Sequence, residues 1–307
     1  MTSRLVIAPN WIGDAVMSLP VLRALRRRHP GDRLAVLARS GPAAVYRAEG
    51  SADQVLGRGA LLPDARRARA GEFDEVWLLP NSFRAALLAL LSRAPRRLGY
   101  ATDRRGALLT EALPPPPGTE HQLRDYDALL LHAGVPPDTD PPALPIPPTE
   151  RARAALSAAS VPAGFVVLCP GSATAPEKRW PATRYAALAG LLAATEIPCV
   201  VAVGPSEREL GRTVSAASPV PLPVIGADLD PMELAGLLSL ARAVVSNDSG
   251  PAHLAAAVGT PTVVLFGPTD PRRTAPVPAG GRVRVLERMG DVKAEDAARA
   301  VEETLRG

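Results

Sequence analysis

Short apolar runs alternate along the chain with longer segments of helical period. Residues 4–8 read as a first strand. Over 15–28, Val16, Leu19, Leu22 and Leu25 recur at helical spacing, and arginines close the segment where they complement the helix dipole. Strands follow at 34–38 and 76–79, and 83–91 is a strongly apolar segment that reads as a core helix. Proline-rich stretches at 114–117 and 136–148 bracket a helical segment at 122–133. Alternation then restarts, with strands at 165–169, 199–203, 243–246 and 262–266. Helices are expected at 182–194, 231–240, 251–258 and 292–305. This pattern predicts parallel sheets covered on both faces. The stiff tract 136–148 cannot join a sheet interior and suits a linker. The chain is therefore expected to be an α/β protein of two Rossmann-like domains, 1–148 and 149–307. Their parallel sheets would face a central cleft, with ligand at the carboxyl ends of the strands.

Composition narrows this picture. Of the 307 residues, 47% are hydrophobic and 21% charged, as in a globular protein, but only 4% are aromatic, so Ala, Leu and Val must build the cores. The charge-free stretches are broken by Pro and Gly and do not read as membrane spans. No charged-then-apolar leader opens the sequence, and a cytoplasmic location is expected. Cys169 and Cys199 lie in apolar runs without Cys-x-x-Cys spacing, the pattern of structural thiols rather than a zinc site. Net charge is +4, and arginines cluster at 26–28, 66–67, 96–97, 104–105 and 272–273. Each cluster reads first as a solvated face. The second reading is attraction to a phosphorylated substrate or an anionic membrane surface; nucleic acid is disfavoured because no aromatics interleave. Lys178 and Lys293 are the only lysines, which gives Lys178 weight in a chain that otherwise uses arginine.

Three segments could carry chemistry. The stretch Ser246-Asn247-Asp248-Ser249-Gly250-Pro251-Ala252-His253 follows an apolar run, and a helix opens at Pro251. Such a turn aims backbone N–H groups and a positive dipole end above the strand, an arrangement suited to a diphosphate. Asp248 and His253 flank it, with a helix cap and a core histidine as their plain alternatives. Pro9-Asn10-Trp11-Ile12-Gly13-Asp14 links the first strand to the first helix, where Asp14 is either an N-cap or a general base kept ionised by the dipole. Pro170-Gly171-Ser172-Ala173-Thr174, continuing to Lys178, lacks the Walker pattern, but its small residues permit close approach to phosphate and Lys178 adds a point charge. Asp138/Asp140 and Asp228/Asp230 match the metal-binding pairs of some sugar transferases. Both are set aside, the first as linker and the second as part of a capping box with Glu233. No metal site or cofactor is expected.

Taken together, these residues resemble the ADP-heptose:lipopolysaccharide heptosyltransferases, glycosyltransferase family 9, with the closer likeness to its heptosyltransferase II branch. The resemblance rests on Pro9 to Ser18, Asn81-Ser82-Phe83-Arg84, Arg97-Leu98-Gly99-Tyr100, Lys178-Arg179-Trp180-Pro181, Asp248-Ser249-Gly250-Pro251 with His253, and Phe266-Gly267-Pro268-Thr269-Asp270-Pro271. It implies a GT-B fold and an inverting, metal-independent transfer of heptose from ADP-heptose to a lipopolysaccharide inner-core acceptor at the cytoplasmic face of the inner membrane. By the same resemblance Asp14 is the base and Lys178 stabilises the leaving diphosphate. Gly171, Ser172, Glu207 (ribose), Leu229 (adenine), Asp248, Ser249, Gly250 and His253 line the donor site. Asn10, Arg84, Arg97 and Arg105 meet an anionic glycolipid acceptor, surface arginine being the equal alternative for the last three. The chain departs from the family pattern at Ala8, often basic, and in the loop 173–177. These departures leave open another nucleotide-sugar or a non-lipopolysaccharide acceptor. A nucleotide-sugar isomerase or hydrolase of the same shape, or a silent binding module, is the further alternative.

Overall fold

A computed structural model describes residues 1–173 and 175–306; Thr174, part of the expected phosphate loop, lies outside the described residues. Two compact units divide the chain between Asp140 and Pro141, inside the proline tract.

The first unit comprises β1 (Ser3–Ile7), α1 (Ile12–Met17), α2 (Leu19–Arg28), β2 (Arg33–Ala38), α3 (Ser40–Glu49), β3 (Gln54–Gly57), α4 (Leu61–Ala70), β4 (Glu75–Leu78), α5 (Phe83–Leu91), β5 (Arg96–Tyr100), β6 (Glu111–Leu113) and α6 (Gln122–His132). Its strands form one six-stranded parallel sheet in the order β3-β2-β1-β4-β5-β6. The helical period over 15–28 predicts one helix, yet the chain forms two, separated at Ser18. Pro20 has no N–H to give the Val16 carbonyl. The Ser18 hydroxyl instead donates to the Ala15 carbonyl at 2.8 Å and meets the Tyr46 hydroxyl at 2.6 Å. Helix α5 is only half a core helix. Ala85, Ala86, Leu88 and Ala89 are buried, while Phe83, Leu90 and Leu91 face outward.

Charge organises the amino ends of the central strands. Arg4 pairs with Asp32 and, at 2.8 Å, with Glu75; Arg96 joins Glu75 at 3.0 Å to Glu111. Asp138, discounted above as a metal ligand, is buried between Arg23 at 2.6 Å and Arg27 at 2.9 Å and clasps the start of the proline tract to α2. Burial favours its neutral form, but the hydrogen bonds from Arg27 and Arg23 outweigh that and hold the carboxyl below its usual range.

The second unit comprises α7 (Glu150–Ala158), β7 (Val166–Cys169), α8 (Ala182–Ala194), β8 (Cys199–Ala202), α9 (Arg208–Ala217), β9 (Val224–Ile225), α10 (Pro231–Ser239), β10 (Ala243–Asn247), α11 (Gly250–Ala257), β11 (Thr262–Leu265), α12 (Pro271–Thr274), β12 (Val283–Leu286) and α13 (Ala294–Arg306). Its parallel sheet runs β12-β11-β10-β7-β8-β9. Strands β7, β8, β10 and β11 are buried along their whole length, as a sheet covered on both faces requires. The core is almost wholly Val, Leu and Ala, with Trp180 packed edge-on to Tyr185 at a centroid distance of 5.0 Å. Asp230 caps α10 reciprocally with Glu233, so the Asp228/Asp230 pair is turn chemistry.

Both sheets have the doubly wound order in which the chain reverses direction beside its first strand. The reversal lies between β1 and β4 in one unit and between β7 and β10 in the other. At such a point the loops leaving the two strands diverge and open a crevice beyond their carboxyl ends.

Candidate functional site

In the first unit the crevice is a pocket of about 260 Å³ lined by Pro9, Asn10, Trp11 and Asp14 after β1, by Leu79, Pro80, Asn81 and Ser82 after β4, and by Gln122 and Tyr126 of α6. Asp14 stands in the first turn of α1. Gln122 Nε2 lies 3.4 Å from Asp14 Oδ1 and 2.9 Å from the Tyr126 hydroxyl. Burial, then the nearby Asp14 charge, pushes the Tyr126 phenol well above its ordinary range, so it stays protonated. Asn10 Oδ1 is buried without a hydrogen-bond partner.

The expected acceptor arginines separate. Arg84 is exposed at the start of α5 and donates to the Gly59 carbonyl at 2.6 Å. Arg97 is not at the site. Strand β5 carries it near its amino end, where its guanidinium is spent on the carbonyls of Leu108 at 2.9 Å and Ala94 at 2.7 Å. Arg105 is wholly buried. It donates to the carbonyls of Tyr100, Pro80 and Ser82 and to Asn81 Oδ1, so it holds the loop after β4 rather than meeting a ligand. Burial lowers its guanidinium to about 10. The sequence reading missed Arg58, which follows β3 and donates to the Ala8 carbonyl at 2.9 Å. Burial, and then the charges of Arg84 and Arg39, lower its pKa. A basic group thus reaches the end of β1 where residue 8 is not basic. Gln122 and Tyr126 were also missed, because only tertiary packing brings α6 to the β1 loop.

In the second unit the crevice gathers most of the expected donor residues. Lys178 Nζ lies 2.7 Å from Asp248 Oδ2, and the Thr269 hydroxyl donates to the same oxygen at 2.7 Å. Asp248 is therefore a holder of Lys178 in this structure. Gly171 follows β7, and a Cβ there would fall 2.1 Å from Glu207 Oε2, so only glycine lets Glu207 lie against this backbone. Glu207 Oε1 and Arg179 Nε are both buried without hydrogen-bond partners, although Arg179 Nη2 stands 3.8 Å from Oε1. Ser172 is buried, and its carbonyl accepts from Arg179 Nη2 at 2.8 Å. Helix α11 begins at Gly250, one residue before the sequence reading. Ser249 precedes it in extended conformation without a side-chain cap, and His253 is buried within it. Leu229 stands apart from this group. It lines a cavity of about 510 Å³ at the β9 edge with Arg151, Arg208 and Arg212, and none of the other expected donor residues shares that lining.

One residue ties these loops together. Asn247 is fully buried at the end of β10. Its Oδ1 accepts from Trp180 N–H at 3.1 Å and the Tyr185 hydroxyl at 3.0 Å. Its Nδ2 donates to the carbonyls of Pro170 at 2.7 Å and Gly171 at 3.3 Å. All four bonding positions of the amide are used, joining the Gly171 loop to the segment that carries Lys178. Among the described residues no three His, Cys, Asp or Glu are grouped to hold a metal ion, and no helix is long and apolar enough to cross a membrane.

The profile of glycosyltransferase family 9 (heptosyltransferase) matches residues 64–298. Lipopolysaccharide heptosyltransferase 2 of Salmonella typhimurium is 30% identical over an alignment covering 98% of this chain and 93% of the relative. The structure of E. coli ADP-heptose lipopolysaccharide heptosyltransferase II superposes with a TM-score of 0.86 at 24% identity, covering 99% of each chain. E. coli heptosyltransferase WaaC, solved with ADP, gives 0.76 at 19% identity over 99% of this chain and 100% of that one. These two share the fold of this chain. The chain is a glycosyltransferase and belongs to family 9, the heptosyltransferases.

Proposed function

We propose that this glycosyltransferase moves a heptose from ADP-heptose to an inner-core sugar of lipopolysaccharide, with inversion at the anomeric carbon and without a metal. The acceptor is an anionic glycolipid at the cytoplasmic face of the inner membrane, which the enzyme meets from the cytoplasm. The observation that carries the reading is the set of groups beyond β7 and β10. An ammonium is fixed by Asp248, whose carboxylate also accepts from Thr269, Gly171 gives close backbone approach, and Glu207 offers a buried oxygen lacking a donor. This is the chemistry of a nucleoside diphosphate. Lys178 and the start of α11 meet the charge that grows on the diphosphate as the sugar leaves, and Ser172, Ser249, Gly250 and His253 stand around it. A ribose hydroxyl donating to Glu207 Oε1 would satisfy that orphaned atom. The second unit binds the donor.

The first unit binds the acceptor. Asp14 takes the proton from the attacking acceptor hydroxyl, with Gln122 holding its carboxylate. Displacement from the face opposite the diphosphate gives inversion. Arg58 and Arg84 supply positive charge for anionic groups of the acceptor.

The test incubates the purified protein with ADP-heptose and a deacylated inner-core acceptor, and follows product mass and anomeric configuration. One added heptosyl residue of inverted configuration, at a rate unchanged by EDTA, is expected. Asp14→Asn should lower kcat by roughly 10²–10⁴. Donor breakdown without any acceptor would replace this reading with that of a hydrolase or isomerase, and wild-type rates in Asp14→Asn would remove Asp14 as the base.

A further inference from the structure

The pocket beside Asp14 contains a residue to which nothing above assigns a role. Trp11 is 50% exposed, whereas Trp77 and Trp180, the other tryptophans, are both 1% exposed. A large aromatic left half in water is unusual in a chain so poor in aromatics. Local structure does not require it, since Trp11 precedes α1 without a side-chain cap bond. Its place is specific nonetheless, because it lines the same 260 Å³ pocket as Asp14.

The rest of the lining says what the indole would meet. It includes the amides of Asn10, Asn81 and Gln122 and the Ser82 hydroxyl, and neither Lys nor Arg. Amides both donate and accept and so can read vicinal hydroxyls. Asn10 Oδ1 is already desolvated and lacks a donor, which a ligand hydroxyl would supply. Arg105 fixes Asn81 by donating to its Oδ1 at 3.3 Å, leaving the Asn81 amide nitrogen for a ligand oxygen. The volume lies just under the roughly 300–1,000 Å³ of drug-sized sites and suits one sugar ring. A pyranose ring has hydroxyls around its rim and a C–H face, and an indole covers such a face.

We propose that Trp11 is the platform for the acceptor's reacting sugar. Its indole covers the C–H face while Asn10, Asn81 and Gln122 bind hydroxyls and Asp14 faces the one that attacks. This inference rests on the proposed glycosyl transfer, and it adds the residue that orients the acceptor. Seating the ring on a flat surface restricts its rotation, so that one hydroxyl is presented to Asp14.

The test uses the full chain and a deacylated lipopolysaccharide inner-core oligosaccharide as probe. Acrylamide should quench chiefly Trp11, because the other two indoles are buried, and the probe should shield it even without donor. Trp11→Ala should raise the acceptor KM about tenfold, equivalent to about 1.4 kcal/mol, and leave the donor KM within twofold. Trp11→Phe should recover much of the loss, and both variants should melt near the wild type because the side chain is half in water. A wild type that transfers heptose while Trp11 stays fully quenchable overturns the platform alone. So does Trp11→Ala with an unchanged acceptor KM. A wild type that neither transfers heptose nor shields Trp11 overturns the transferase reading and the platform with it. Shielding without transfer keeps the sugar platform and overturns the transfer.

Discussion

Replacing Asn247 with alanine tests whether one buried amide holds the Gly171 loop and the Lys178 segment in register. The change deletes four hydrogen bonds, two accepted from Trp180 N–H and the Tyr185 hydroxyl and two donated to the Pro170 and Gly171 carbonyls. The Tyr185 hydroxyl keeps the Cys169 carbonyl at 3.2 Å, and the Gly171 bond is the longest of the four. The severe losses are therefore the Trp180 N–H and the Pro170 carbonyl, both inside a core that water does not reach. A buried polar group without a partner costs about 1–3 kcal/mol, so the pair should cost roughly 2–6 kcal/mol. A domain of this size shifts by about 2–4 °C per kcal/mol, which places the fall in Tm near ~10 °C. Calorimetry measures that fall, and titration of ADP into the folded variant should show a further loss of affinity as the Gly171 and Lys178 segments drift apart. A variant melting within about 2 °C of the wild type would refute the reasoning, since that is the range of an inconsequential surface change.

Other outcomes follow from the same structure. Lys178→Met should lower kcat by roughly 10²–10³ through lost stabilisation of the leaving diphosphate, measured as initial rates at saturating donor. Cys169 and Cys199 are buried; burial pushes the Cys199 thiol up to about 12 and the Cys169 thiol higher still, so a thiol reagent should label neither in the native protein and both after denaturation. Asp32 is held below its usual range by the Arg4 hydrogen bond and then the Thr2 N–H. For Glu75, burial acts in the opposite direction but is outweighed by bonds from Trp77 and Arg96. Carboxyls depressed in the folded state contribute stability that is present above their unfolded values near about 4 and is lost as pH falls through the folded ones. Tm should therefore hold from neutral pH to about 5 and fall below about 4, and Asp32→Asn with Glu75→Gln should flatten that fall.

The legible parts of the sequence were those where local period and burial agree. The helices Phe83–Leu91 and Ala182–Ala194 fall on the residues expected, and the central strands within a residue or so of expectation, because a strand buried on both faces is a continuous apolar run between turn residues. Strands β3, β5, β6, β9 and β12 were not read. All but β5 are short, partly exposed and at the sheet margins, so their composition resembles loop; β5 lies inside its sheet but opens on Arg96 and Arg97 and so has no continuous apolar run. The break at Ser18 was legible in Pro20 but hidden by an uninterrupted apolar period.

The sequence by itself determined the alternation that makes parallel sheets and motifs specific enough to point to a family. It also marked Asp14, Lys178 and Gly171, because turn chemistry at a strand end is encoded locally by small residues, caps and a helix start. Tertiary structure alone decided which charges are free to act. Arg97 and Arg105 are indistinguishable from Arg84 in a linear reading, yet one is turned to the amino end of the sheet and one is sealed inside it. It alone brought Gln122 to Asp14, Arg58 to the end of β1 and Asn247 between the Gly171 loop and the segment that carries Lys178. The reason is physical: period and propensity act over a few residues. The direction of a long polar side chain is set by the groups it must satisfy, and these partners of Arg58, Gln122 and Asn247 lie from 50 to 108 residues away in sequence.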